Sequence, residues 1–197
     1  GMEYNVLFSH TMKMLVGMIA MLIIAIIDIE FWKRNAFYIY FVFIILLVWA
    51  SFFGHLGKGS RRWINISGFY MQPSELIKIC IILSLAKFFD EKKIKDRGDY
   101  FFLIFPIIIV LVPVGLILSQ PDLGTAAIVL FISFIIFYIA GLSWKFFTTI
   151  GFGFLIITPY LWSLLKNYQK QRILTLFNPE NDPLGSGYHI IQSQIAI

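Results

Sequence analysis

Six apolar blocks of helix length succeed one another along the chain, at about Thr11 to Ile27, Ala36 to Leu56, Met71 to Phe89, Tyr100 to Gln120, Thr125 to Leu142 and Phe146 to Leu165. Each is close to the roughly 20 residues that a helix needs to cross a hydrocarbon layer of about 30 Å. Open strands leave backbone groups unpaired in lipid, and the blocks lack the alternation of a barrel, so the pattern predicts an all-α, polytopic transmembrane bundle. Pro106, Pro113 and Pro159 fall inside blocks, where they predict kinks whose freed carbonyls neighbouring helices must satisfy. Beyond the sixth block the character changes. Lys166 to Ile197 is mixed, and Pro179, Pro183, Gly185 and Gly187 break any long helix. Within it, the alternation of polar and apolar groups from Tyr168 to Phe177 predicts a short helix lying in the interface.

Composition agrees with this pattern. Apolar residues make up 59% of the chain and charged residues 14%, and the mean hydropathy is +0.82. A water-soluble fold of 197 residues has no interior large enough to hide that surface. The net charge of +5 is held in short clusters between apolar blocks, with no continuous basic stripe, which argues against nucleic acid. Cys80, the single cysteine, lies inside an apolar run, so neither a disulfide framework nor a cysteine metal site is available; the three histidines are too scattered for a zinc motif. The first block follows a polar start, is too long for a signal core and lacks a small-residue cleavage site. Gly1 before Met2 reads as an added residue or a fragment edge, and the apolar stop at Ile197 suggests that a longer protein continues. No internal repeat is evident.

The loops barely orient the chain. Segments 28–35, 87–99 and 143–145 carry Lys33, Arg34, Lys87, Lys92, Lys93, Lys95, Arg97 and Lys145, against Lys13, Lys58, Arg61, Arg62, Lys166, Lys170 and Arg172 on the other side, eight to seven. So much positive charge on an outward side suggests an anionic ligand.

Four segments carry candidate chemistry. Gly57 to Asn65 packs Lys58, Arg61, Arg62 and Trp63 into a short loop suited to phosphate, since Arg offers paired planar donors and Lys a point charge. The competing account is an interfacial loop whose arginines meet headgroups while Trp63 anchors in the aromatic belt. Gln72 to Lys78 opens the third block; Pro73 suits the first helical position and Glu75 the first turn, but capping does not explain Lys78. Glu75 and Lys78 lie three apart on one helix face, and an ionisable pair just inside a span is by default a functional hypothesis, set against a snorkelling lysine neutralised by its neighbour. Asp122, in Gln120-Pro121-Asp122-Leu123-Gly124-Thr125, is either a cap for the next helix or a polar group at a cavity mouth. The stretch from Asn178 to Ile197, with Asp182, Gly185, Gly187, Tyr188, His189 and Gln192, is rich in turns and holds no arrangement of nucleophile, base and orienting group.

Taken in order, Gly59-Ser60-Arg61-Arg62-Trp63-Ile64, Gln72-Pro73-Ser74-Glu75-Leu76, Gln120-Pro121-Asp122-Leu123-Gly124-Thr125 and Asp182-Pro183-Leu184-Gly185-Ser186-Gly187-Tyr188 to Ile197 resemble the SEDS family (shape, elongation, division and sporulation), closer to its elongation branch than to its division branch. The resemblance implies a membrane glycosyltransferase of about ten helices, of which about six lie in this chain. It would extend peptidoglycan from lipid II on undecaprenyl-linked glycan, at the outer face of the bacterial cytoplasmic membrane, with a class B penicillin-binding protein. It places Lys58, Asp122 and residues 166–197 outside, the last as the start of a large outer loop of one integral membrane domain.

The site residues it implies are Lys58, Arg61 and Arg62 for the pyrophosphate, Glu75 and Lys78 as the polar floor of a cavity, and Gln192 as a lining residue; Trp63, Pro73, Ser74, Asp122, Gly124, Asp182, Gly185, Gly187 and Tyr188 complete the motifs. No cofactor or metal site is implied, and a divalent cation is left open. The family has one more helix before this stretch and several after it, and its catalytic aspartate is expected beyond Ile197. No catalytic residue is therefore assigned here. Two other readings remain, a lipid-linked precursor flippase and a non-catalytic scaffold for the penicillin-binding protein.

Overall fold

The computed structural model describes residues 2–57, 60–66, 69–92, 100–120, 122–165 and 167–177. Six long helices follow the six apolar blocks: α1 (Met2–Ile26), α2 (Ile29–Phe53), α3 (Pro73–Glu91), α4 (Ile104–Ser119, preceded by a 3-10 turn, Tyr100–Leu103), α5 (Leu123–Ile139) and α6 (Trp144–Leu164). A short helix, α7 (Asn167–Phe177), lies where the interfacial helix was expected. The 19 residues of α3 span about 28 Å at 1.5 Å per residue, close to the thickness of a bilayer core. Among the described residues, Ile29–Phe53 and Phe101–Ser119 are long and apolar enough to qualify outright as spans; His10–Ile26 and Leu123–Ile139 are apolar but shorter.

Two sequence expectations shift. The stretch 28–35 is not a loop: Asp28 caps α2, its carboxylate accepting from the Glu30 N–H at 3.1 Å, so that Lys33 and Arg34 ride on the helix. Charged residues continue a helix where it leaves the lipid, and hydropathy alone stops short of them. Within the helical bundle there is also a small antiparallel sheet, β1 (His55–Gly57), β2 (Ser60–Ile66) and β3 (Phe69–Met71), in that spatial order. It fills the stretch expected to be an open loop.

The packed centre consists of α2, α3, α4 and α5. On α3 the buried positions are Pro73, Ser74, Ile77, Cys80, Ile81, Ser84, Leu85 and Phe88, which is the spacing of one helix face. Small groups let α2 come close: Ala36 and Ala50 are fully buried, and the Ser84 hydroxyl donates to the Ala36 carbonyl at 3.3 Å. Small residues are what helices use to approach each other in lipid, where burial from water supplies no drive. In contrast, residues 10–26 of α1 are exposed throughout, as are most side chains of α6, as expected of surfaces that meet lipid.

The prolines behave differently from one another. Pro106 sits in the first turn of α4, where a missing N–H costs nothing. Pro113 lies within α4 and frees the carbonyl of Ile109, four residues back. The Tyr40 hydroxyl of α2 donates to that carbonyl at 3.0 Å. Tyr40→Phe is expected to destabilise the protein by about 1 kcal/mol, read as a lower melting temperature in detergent, whereas Tyr38→Phe, at an exposed position, leaves it unchanged. At the other end of α5, Gly141 takes a φ of 83°. The Gly141 and Leu142 N–H groups donate back to Tyr138 and Phe137 at 3.0 and 3.3 Å, closing the helix in a Schellman turn that leads into α6.

Candidate functional site

Polar side chains gather at the two ends of the packed helices. At the end where α2 begins and α3 finishes, Lys33 pairs with Asp90 at 2.7 Å. Lys87 donates to the Arg34 carbonyl at 2.9 Å, and its ammonium lies 5.0 Å from the centre of the Phe37 ring. These contacts fasten α2 to α3 in the way charged residues do at a membrane boundary.

The opposite end holds the sheet, the start of α3 and the turn between α4 and α5, and here three of the sequence motifs meet. On β2, His55 pairs with Trp63 and Leu56 with Arg61, so Arg62 is the extra residue of an irregularity in the β1–β2 register. Such bulges bend a strand and redirect a side chain. The Arg62 guanidinium Nη1 lies 3.1 Å from Asp122 Oδ2, with the two side chains 18% and 12% exposed. Asp122 Oδ2 also accepts from Gln72 Nε2 at 3.1 Å, and that same nitrogen donates to Ser74 Oγ at 2.8 Å. The other oxygen, Oδ1, accepts from the Thr125 backbone N–H at 3.3 Å and caps α5. Asp122 is thus a cap, as one reading of the sequence had it, and also the hub that joins β2 to the first turn of α3.

Nearby, Gln120 is buried and donates to the Leu47 carbonyl at 3.0 Å and to Ser51 Oγ at 2.7 Å, tying the end of α4 to α2. Pro73 takes the first-turn position expected of it, and Ser74 is buried beside it. Lys78 Nζ meets Glu75 Oε2 at 2.8 Å; the lysine side chain is 18% exposed and the glutamate 55%. Glu75 heads an outward stripe of α3 that continues through Ile79, Ile82 and Ala86. A carboxylate at the head of an apolar stripe is costly in lipid and is kept where it has a task.

Trp63 is half-buried on β2. A side chain at Gly124 would lie 3.9 Å from Asp122 Oδ1, an ordinary contact, so nothing in the structure explains that glycine. Arg61 lies on β2 opposite Leu56, with its side chain outside the described part. Lys58, Asp182, Gly185, Gly187, Tyr188 and Gln192 lie outside the described residues. Among the described residues, no group of three or more His, Cys, Asp or Glu is placed to hold a metal ion. The sequence offers Gln72 and Gln120 only as motif members; their amide links appear once the helix ends are brought together. Ser51 carries no sequence signal.

A family model described as "Cell cycle protein", covering FtsW, RodA and SpoVE, matches residues 1–197. The peptidoglycan glycosyltransferase MrdB of Escherichia coli K12 is 36% identical over 205 aligned positions, covering 100% of this chain and 53% of the relative. The probable peptidoglycan glycosyltransferase FtsW of Buchnera aphidicola from Acyrthosiphon pisum is 35% identical over 170 positions, with 86% and 42% covered. This chain therefore spans about half the length of the curated relatives it matches. Among solved structures, one described as "Structural coordination of polymerization and crosslinking by a peptidoglycan synthase complex" superposes with a TM-score of 0.80 at 31% identity, over 95% of this chain and 55% of the other. The rod shape determining protein RodA of Thermus thermophilus superposes with a TM-score of 0.63 at 28% identity, over 75% and 48%. The fold is that of a polytopic membrane-type helical bundle.

Proposed function

Because this chain belongs to the FtsW/RodA/SpoVE family of cell cycle proteins, we propose that the full-length protein carrying it polymerises peptidoglycan strands from lipid II. Its place is the outer face of the bacterial cytoplasmic membrane, and its companion is a class B penicillin-binding protein. The observation that carries this reading is the meeting of Arg62, the Gln72-to-Lys78 turn and Asp122 at one end of the bundle, where a headgroup would enter.

The reaction joins a sugar hydroxyl to the anomeric carbon of a second lipid-linked glycan. A new C–O bond forms, the bond to the lipid pyrophosphate breaks, and the hydroxyl proton passes to a carboxylate. The leaving pyrophosphate gains charge as the bond breaks, so cations at the site lower the barrier. Lys58, Arg61 and Lys78 are proposed for that role, with Glu75 orienting Lys78 and Gln192 lining the site. Asp122 is already shared among Arg62, Gln72 and the Thr125 N–H, contacts that give it a structural place in the site. The family resemblance implies that the accepting carboxylate lies in the rest of the full-length protein.

The test is to supply lipid II to the purified full-length protein with its penicillin-binding partner, in detergent and in vesicles. Long glycan strands are expected. Movement of lipid across the vesicle without glycan synthesis would instead identify a flippase, and activity of the partner alone a scaffold.

A further inference from the structure

We propose that Arg62 and Asp122 are positioning residues, an ion-paired clamp that fixes where the first turn of α3 presents Glu75 and Lys78, and that Arg62 is not itself a ligand of the pyrophosphate. The inference rests on the polymerase reading and deepens it by separating the cations that meet substrate from the one that holds the site in shape. The contacts form a direct chain. Arg62 Nη1 meets Asp122 Oδ2 at 3.1 Å, Gln72 Nε2 bridges that oxygen to Ser74 Oγ, and Ser74 is 1% exposed at the base of α3, next to Glu75.

Three features point to a clamp. First, the charges cancel: a guanidinium beside a carboxylate offers a phosphate far less net attraction than the isolated cation does. Second, the pair is mostly removed from solvent, where removing one partner leaves a costly unmatched charge on the other. Third, Arg62 is the extra residue of the register irregularity in β2, a device that turns a side chain away from the alternation of the strand, and here it meets the α4–α5 turn. Thus a β-strand, the cap of α5 and the first turn of α3 are joined through one carboxylate. Lys78 stands outside this chain; it too is ion-paired, but with Glu75, which is 55% exposed and tied to no second element by the contacts above, so this pair can open toward a headgroup where the Arg62–Asp122 pair is held by its neighbours.

A charge exchange tests this in the full-length complex supplied with lipid II. Arg62→Glu and Asp122→Arg are each expected to lower polymerisation at least a hundredfold. The double variant Arg62→Glu/Asp122→Arg is expected to recover at least tenfold over either single variant, short of wild type because an arginine at 122 cannot accept from Gln72 or the Thr125 N–H, with the KM for lipid II little changed. A carboxylate at position 62 would repel a pyrophosphate, so a folded double variant as inactive as the single ones, with a wild-type melting temperature, overturns the proposal. Should the exchanged pair fail to fold, Arg62→Gln/Asp122→Asn replaces it: the neutral pair is expected to lose no more activity than the worse single change, and a loss equal to the product of the two overturns the clamp. Absence of glycan synthesis by the unmutated complex defeats the polymerase reading instead. The clamp is then read from the melting temperatures of the same variants, where additive shifts overturn it.

Discussion

Glu75→Gln and Lys78→Met, each made in the full-length protein, are expected to reduce glycan polymerisation by roughly 10²–10³-fold, the usual cost of deleting one preorganised charge-stabilising group, while the protein accumulates to wild-type levels. The two halves of this expectation have separate physical grounds. Little stability is at stake, because Glu75 is 55% exposed and a pair three residues apart on a helix contributes only about 0.2–0.5 kcal/mol. The fold at this end is held elsewhere, by Asp122, Gln72, Ser74 and Gln120. The activity at stake is large because the dipole of α3 accounts for a carboxylate at Glu75 but not for Lys78 paired with it. Pro73 and the Gln72 side chain already organise the first turn of α3, and the stripe below Glu75 is apolar. The readout is strand synthesis from lipid II by protein purified at matched amounts. Near-normal rates for both variants would return Glu75 to a helix-end carboxylate and Lys78 to a snorkelling lysine.

The six long helices were legible because each is announced by an apolar block near the bilayer thickness, and lipid permits no competing use of such a block. Their ends were less so. Asp28, Glu30, Lys33 and Arg34 read as a polar loop, yet a cap at Asp28 and the pairing of Lys33 with Asp90 make those charges part of the α2–α3 contact. The sheet has only a weak local signal: Ser60 to Ile66 holds Trp63, Ile64 and Ile66 and lies between Gly59 and Gly68. Segments of three and seven residues are too short to stand out beside blocks of twenty.

The site was legible as a set of motifs and illegible as a geometry. Asp122 could be read as a cap from Thr125 alone, since that contact is local; its partners Arg62 and Gln72 are brought to it only by the packing of α2, α3 and α5. The same holds for Tyr40 and the Ile109 carbonyl, 69 residues apart, where Pro113 announces that a carbonyl will be orphaned but not what will satisfy it.

Ser84→Leu is expected to be strongly damaging, lowering stability by about 1–3 kcal/mol and sharply reducing the monodisperse yield in detergent. Ser84 is fully buried against Ala36, with its hydroxyl 3.3 Å from the Ala36 carbonyl. The α2–α3 contact there is made of small groups, and a leucine has no cavity to enter; it must push the helices apart or adopt a strained rotamer. Ser84→Ala separates size from hydrogen bonding. It removes only the long contact to Ala36, and about 0.5 kcal/mol is expected. The effect of leucine should also reach the distant end of α3, because that helix is fixed at both termini, by Lys33–Asp90 and Lys87 at one and by the Gln72–Asp122 link at the other. A wedge that pushes the helices apart between the two anchors tilts α3 and stretches one of them. Loss of polymerisation in Ser84→Leu should therefore exceed what its remaining folded fraction accounts for, while Ser84→Ala keeps the activity of its folded fraction. A Ser84→Leu protein that melts at the wild-type temperature would show that α2 and α3 are not packed through these small residues, and the anchoring argument for Glu75 and Lys78 would fall with it.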